Sequence, residues 1–205
     1  SQRANIPMPR LYVVPDASPN AFATGRNPQN GVVAVNEGLL NLLDEREVEG
    51  VIAHEIAHIK HRDTLTSAIV ATMAGAISSI ANMAMFASMF GGNSEEGQNP
   101  LVTLFMAMVA PIAAMLIQMA VSRVREFEAD KTAAQLIGSG KGLQSALLKL
   151  ERGAQVVPNH SMTPSSAHMC IVNPFAGAGG LLHLFSTHPP IAVRVQKLAE
   201  IEASL

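Results

Sequence analysis

The stretch VIAHEIAHIKHRDT, residues 51 to 64, sets His54 and His58 four residues apart around Glu55. On a helix, positions i and i+4 share a face, so both imidazoles can address one metal ion, with Glu55 about 100° round the axis and within reach of water held there. Such an ion lowers the pKa of that water and polarises a carbonyl, and a neighbouring carboxylate takes the proton and returns it to the leaving group. The chemistry is hydrolysis. The same pattern arises by chance on ordinary core helices, so it needs a third ligand from elsewhere in the chain.

His61 lies on the face of His54 and His58, but three ligands along one straight helix do not converge on one ion, and no glycine turn follows it. It reads as a solvated or interfacial histidine. Glu126 is the better candidate, because it opens EFEAD, residues 126 to 130. Asp130 falls one turn later on the same face, where it can hold a ligand imidazole by its other N–H. Glu128 points away. The alternative is that Glu126 and Asp130 belong to a plain charged helical face. Two imidazoles, one carboxylate and an open position suit zinc, one ion per chain.

The elements that must position these residues are legible in outline. LYVV (11 to 14), NAFA (20 to 23) and VVAV (32 to 35), separated by Pro, Asn and Gly clusters, read as three short strands of a small antiparallel sheet. Asp44 with Glu47 three residues on makes a capping box for the helix carrying the two histidines. RVREFEADKTAAQLI and GLQSALLKLERGA read as two helices broken by GSGKG, residues 155 to 180 as a Gly- and Pro-rich loop, and Pro190 opens a last amphipathic helix with Ile191, Val195, Leu198 and Ile201 on one side.

Composition bounds the rest. The chain has 205 residues, enough for one or two domains with a real core, and its single cysteine, Cys170, excludes an intramolecular disulfide framework. A net charge of -2, no Trp and one Tyr supply neither the basic stripe nor the aromatic platforms of a nucleic-acid binder. Hydrophobic residues reach 48% against 15% charged, unevenly along the chain. Thr64 to Phe90 and Leu101 to Val121 carry no charged residue, and as helices they would extend about 40 and 31 Å. Together they read as a transmembrane hairpin, the alternative being two buried helices of a soluble bundle. Pro111 is placed to kink the second helix, and Ala71 with Gly75, or Ala74 with Ser78, would let the helices approach closely. Lys60 and Arg62 precede the hairpin and Arg123 and Arg125 follow it, while its loop holds Glu95 and Glu96 and no basic residue, so both outer ends are expected in the cytoplasm. Residues 1 to 31 are punctuated by Pro, Asn and Arg, unlike a signal peptide.

PNAFATG, VVAVNEGLL, VIAHEIAHIKHRDT, SRVREFEAD and FSTHPPIAVRV, in that order and with the apolar hairpin between the third and fourth, resemble the HtpX-type membrane zinc metalloproteases, relatives of the CAAX prenyl proteases. The resemblance implies an α+β, gluzincin-like peptidase fold. Residues 1–63 and 122–205 would form the peptidase domain, interrupted by the hairpin of residues 64–121. It also implies His54, His58 and Glu126 as zinc ligands, Glu55 as general base and acid, and Asp130 behind the ligands. His188 of the HPP block and Arg194 six residues later would stabilise the transition state. The VVAV segment resembles the family's edge strand, so an extended substrate is expected to pair beside residues 32 to 36, with Asn20, Val33, Ala34, Val35 and Asn36 as its contacts. The implied role is quality control of misfolded or damaged membrane proteins from the cytoplasmic side of the inner (plasma) membrane, in company with other membrane proteases. The family's further pair of hydrophobic segments ahead of the peptidase domain does not occur in these residues, which implies one part of a longer protein.

Overall fold

The computed structural model describes residues 1–90, 100–156, 171 and 188–205. Its contacts divide the chain into two units, one of Ser1–Leu65 with Ser122–Leu205 and one of Thr66–Val121.

In the first unit, β1 (Arg10–Val14), β2 (Ala21–Thr24) and β3 (Val32–Asn36) form a three-stranded sheet in the order β1-β3-β2. β2 and β3 run antiparallel, joined through a short 3-10 turn, Pro28–Asn30, whose N-cap Asn27 accepts from the Asn30 N–H. β1 pairs parallel to β3, Arg10 opposite Val32 and Val14 opposite Asn36, so the sheet is mixed where the sequence suggested a purely antiparallel one. The cause lies in the crossing between β1 and β2, which passes over the end of β3. Asn36 Nδ2 donates to both the carbonyl and the hydroxyl of Ser18, each at 3.1 Å, and the Gly38 N–H donates to the Asp16 carbonyl at 2.9 Å. A Cβ on Gly38 would collide with the Ala17 carbonyl, so only glycine lets the crossing lie this close. The apolar run of β3, buried from Val33 to Asn36, also belongs in the middle of a sheet, whereas β1 is mostly exposed.

Two helices follow, α1 (Glu37–Leu42) and α2 (Glu45–His61). The Asp44 capping box forms as its sequence suggests: Asp44 Oδ1 accepts from the Glu47 N–H at 3.0 Å and Glu47 Oε2 accepts from the Asp44 N–H at 2.9 Å. Glu47 goes further, and its buried carboxylate also takes Ser145 Oγ at 2.5 Å and Lys149 Nζ at 2.7 Å. Those partners lie on α5 (Lys141–Val156), which crosses α2 closely enough that a Cβ on Gly50 would meet the Leu143 backbone. α2 ends at Arg62, which is left-handed (φ 57°, ψ 40°) and donates its N–H to the carbonyls of His58 and Ile59. α3 (Asp63–Phe90) starts on the next residue.

α4 (Pro100–Ile137) is one helix through Pro111, and its C-terminal part carries Glu126 and Asp130 into the first unit. α6 (Ile191–Glu202) follows Pro190. The core is built by Val35, Leu39, Val51, Leu143, Leu147, Leu150, Ile191 and Leu198, with the small Ala133 and Ala134 of α4 and Ala146 of α5. Val195 and Ile201 pack on its margin, so the predicted apolar side of α6 faces inward.

In the second unit the apolar side chains are mostly outside. Ile69, Met73, Ile80 and Phe86 on α3, and Phe105 and Ile112 on α4, are all at least half exposed. Of the two small-residue pairs, Ala74 is buried and Ser78 partly covered, while Ala71 and Gly75 are exposed. Both helices contain stretches long and apolar enough to cross a membrane.

Candidate active site

α2 turns Val51, Ala53, His54, Glu55 and Ala57 inward, so the two polar residues are carried into the interior by the apolar face they share. His54 is 1% exposed and Glu55 3%. Glu126 arrives from α4. The Nε2 atoms of His54 and His58 are 3.0 Å apart, and Glu126 places Oε2 3.6 Å from the first and Oε1 3.7 Å from the second. Three donors bound tetrahedrally to zinc would be about 3.3 Å from one another, given metal bonds of roughly 2.0–2.1 Å. The observed spacings bracket that value.

The opposite ring nitrogens explain why Nε2 is the atom offered. His58 Nδ1 lies 2.6 Å from Asp63 Oδ2, a carboxylate that only accepts, so Nδ1 carries the proton and Nε2 keeps its lone pair for the centre. His54 Nδ1 is 3.0 Å from Asp130 Oδ1, close in distance although off the line of the ring N–H. Asp130 is itself gripped by Arg194, which donates from Nε to Oδ2 at 2.8 Å and from Nη2 to Oδ1 at 2.6 Å. Without a metal ion, the 3.0 Å contact between the two Nε2 atoms needs a proton between the rings, the positive charge that a metal would supply instead. Burial by itself lowers the basicity of His58, but the Asp63 hydrogen bond and the charges of Glu126 and Glu55 outweigh it and push its pKa up to about 9. The carboxylates Glu126 and Asp130, with Glu55 and Asp63 close by, crowd this centre, and the guanidinium of Arg194 lies against Asp130 and Glu126. The donor set fits zinc. Among the described residues, His54, His58 and Glu126 are the group of three whose ligand atoms converge in this way.

Asp63 is the contributor that sequence reading missed. Its signal was an acid five residues after a ligand histidine, but its approach depends on the left-handed Arg62, and a non-glycine residue in that conformation is not legible from the chain. His61 stays outside the cluster, with Nε2 3.2 Å from Thr132 Oγ1. Glu128 is exposed, pointing away as its helical position requires. His160, His168 and His183 lie outside the described residues.

Two further expectations need correction. Arg194 does not stand free in a cleft as a transition-state donor. It is fully buried, and besides its fork on Asp130 its Nη1 lies 3.3 Å from Glu126 Oε2 and donates to the Ile171 carbonyl at 3.2 Å. All three of its nitrogens are engaged, with Asp130, Glu126 and the Ile171 carbonyl. His188, also buried, sets Nδ1 3.4 Å from Glu126 Oε1 and remains beside the ligands. The second correction concerns the strand expected to receive substrate. β3 is hydrogen-bonded along both edges, so residues 32 to 36 cannot pair with another strand. Val33, Ala34, Val35 and Asn36 are buried in the core or in the crossing, and Asn20 is spent on Asn36 through its carbonyl and on the Ile171 N–H through Oδ1.

A mixed sheet, a helix bearing HEIAH and a carboxylate from a later helix that joins the two histidines define the fold of a metallopeptidase. Comparison with known proteins is specific: the profile of Peptidase family M48 matches residues 1–202, and the chain belongs to that family. It is 53% identical over 203 residues to a protein named Protease HtpX homolog from Burkholderia thailandensis, and 54% identical to its namesake from Burkholderia multivorans; each match covers 97% of this chain and 70% of the relative. The crystal structure of S. mikatae Ste24p shares the fold, with a TM-score of 0.61 at 19% identity, over 97% of this chain and 47% of that one.

Proposed function

We propose that this chain is a membrane-integrated, zinc-dependent endopeptidase. The observation that carries the reading is the convergence of His54 Nε2, His58 Nε2 and the Glu126 carboxylate beside the buried Glu55. When bound there, zinc acidifies water and polarises a substrate carbonyl. Glu55, next to a ligand on α2, takes the proton of the attacking water and hands it to the departing amine. His188 supplies a donor to the oxyanion side. Asp130, held by Arg194, keeps the His54 ring oriented.

The substrate strand is reassigned to the outer edge of β2. Asn20 accepts from Asn36 N–H, so in the alternating ladder residues 20, 22 and 24 face β3 and Ala21 and Ala23 point their main-chain groups to the other edge, where Ala21 is buried and the partly exposed Ala23 is the one open to a substrate. β2 packs on α2, which puts that edge near the catalytic helix. Main-chain pairing makes sequence selectivity broad, as suits cleavage of misfolded or damaged membrane proteins. Exposed apolar surface along α3 and α4 supports a bilayer around the second unit, and the basic residues at the outer helix ends support a cytoplasmic catalytic unit at the inner membrane.

The test is zinc content measured together with casein cleavage, for wild type and Glu55→Gln. Zinc is expected in both and cleavage only in wild type, reduced by at least about 100-fold in the variant. Equal cleavage by the two proteins would overturn the mechanism.

A further inference from the structure

Asp63 does more than contact one ligand ring, because it touches both halves of the ligand set. Its side chain holds His58 Nδ1 at 2.6 Å, and its main-chain carbonyl accepts from Arg125 Nη1 at 2.7 Å. Arg125 immediately precedes Glu126. Asp63 is also the first residue of α3, brought back toward α2 by the left-handed Arg62, and it is 8% exposed although it carries a charge. A carboxylate is buried at a helix start at a cost in desolvation unless it has a partner, and here the partner is a ligand ring.

We infer that Asp63 is a positioning residue for the metal centre, fixing the tautomer and the angle of the His58 ring through its side chain while its carbonyl anchors the stretch of α4 that presents Glu126. The inference rests on the zinc-peptidase reading and adds to it a coupling. The residue that opens the first apolar helix sets the geometry of two of the three ligands. The ring contact predicts a specific dependence on side-chain chemistry. Asn at this position still offers a carbonyl oxygen to Nδ1–H but no charge, whereas Ser can begin a helix but is too short to reach the ring.

The experiment is zinc affinity of the detergent-solubilised chain, by competition with a chromophoric chelator, alongside thermal melting of the metal-free protein. Asp63→Ser is expected to bind zinc about 10- to 100-fold more weakly than wild type, and Asp63→Asn to fall between them, with metal-free melting close to wild type. If both variants bind zinc as wild type does, the inference fails and the peptidase reading stands. If wild type takes up no zinc, both fail. Should Asp63→Ser also melt early, Asp63→Glu decides, since it keeps the negative charge at the α3 start while moving the carboxylate off the ring. Melting restored without affinity supports the positioning role, and both restored would reduce Asp63 to a helix-start residue.

Discussion

Asp130 and Arg194, 64 residues apart, form a two-pronged ion pair at 2.8 and 2.6 Å in which the guanidinium has no exposed surface. The pair ties α6 to α4 directly behind His54. It explains how a buried arginine can sit beside a metal site: its charge is neutralised by Asp130 and Glu126, which in turn are aimed by it.

Breaking this pair from one side is costly, because the acids it faces stay buried. Arg194→Ala is expected to destabilise the protein by about 3–5 kcal/mol in denaturant unfolding. Arg194→Lys recovers little, since an ammonium cannot reproduce the fork. The double variant with Asp130→Asn should cost less than the sum of the two single ones. Full additivity would mean that the pair is energetically idle.

Glu126 is expected to be a ligand in its own right. Glu126→Ala should lose zinc in metal analysis after dialysis, together with casein cleavage. A variant that keeps full zinc occupancy would show that another group completes the site.

A pH dependence follows from Glu47. Burial alone would raise its pKa, but hydrogen bonds from Lys149, Ser145 and the Asp44 N–H outweigh that and hold it below its usual 4.5. A carboxyl with a depressed folded pKa stabilises the fold above its unfolded value, and that contribution fades as pH falls below about 4.5. Melting curves of wild type and Glu47→Gln should therefore differ most near neutrality and converge in acid. A gap that stays constant with pH would rule out the charge as its cause.

The exposed apolar face of α3 and α4 predicts that the chain needs detergent or lipid to stay monodisperse. Size-exclusion chromatography in plain buffer should show aggregation. A stable monomer there would overturn the membrane assignment.

Much of this was legible along the chain because the relevant periods are short. The spacing of His54 and His58 places both on one helical face whatever surrounds it, the Asp44 box is a local exchange of hydrogen bonds, and EFEAD carries Glu126 and Asp130 one turn apart. The length of the two uncharged runs was equally plain. The strand assignment succeeded for the same reason, since Pro, Asn and Gly mark the breaks, with boundaries shifted by a single residue at β1, β2 and β3.

Strand order and partnership were another matter. Nothing local says that the crossing through Ser18 lies over Asn36 and Gly38, yet that crossing makes β3 central and denies its edges to a substrate. The surroundings of Arg194 were equally out of reach: the family resemblance suggested a donor for the cleft, and the packed chain buries it with every nitrogen engaged by Asp130, Glu126 and Ile171. Asp63 needed the left-handed turn at Arg62 to swing back on His58. Residue types and short spacings thus specify which groups can ligate and which segments are apolar, because those depend on one helix turn or one strand. Which acid backs which imidazole depends on long-range packing, because Asp130, Arg194 and His54 come from three separate helices and meet only when the core closes.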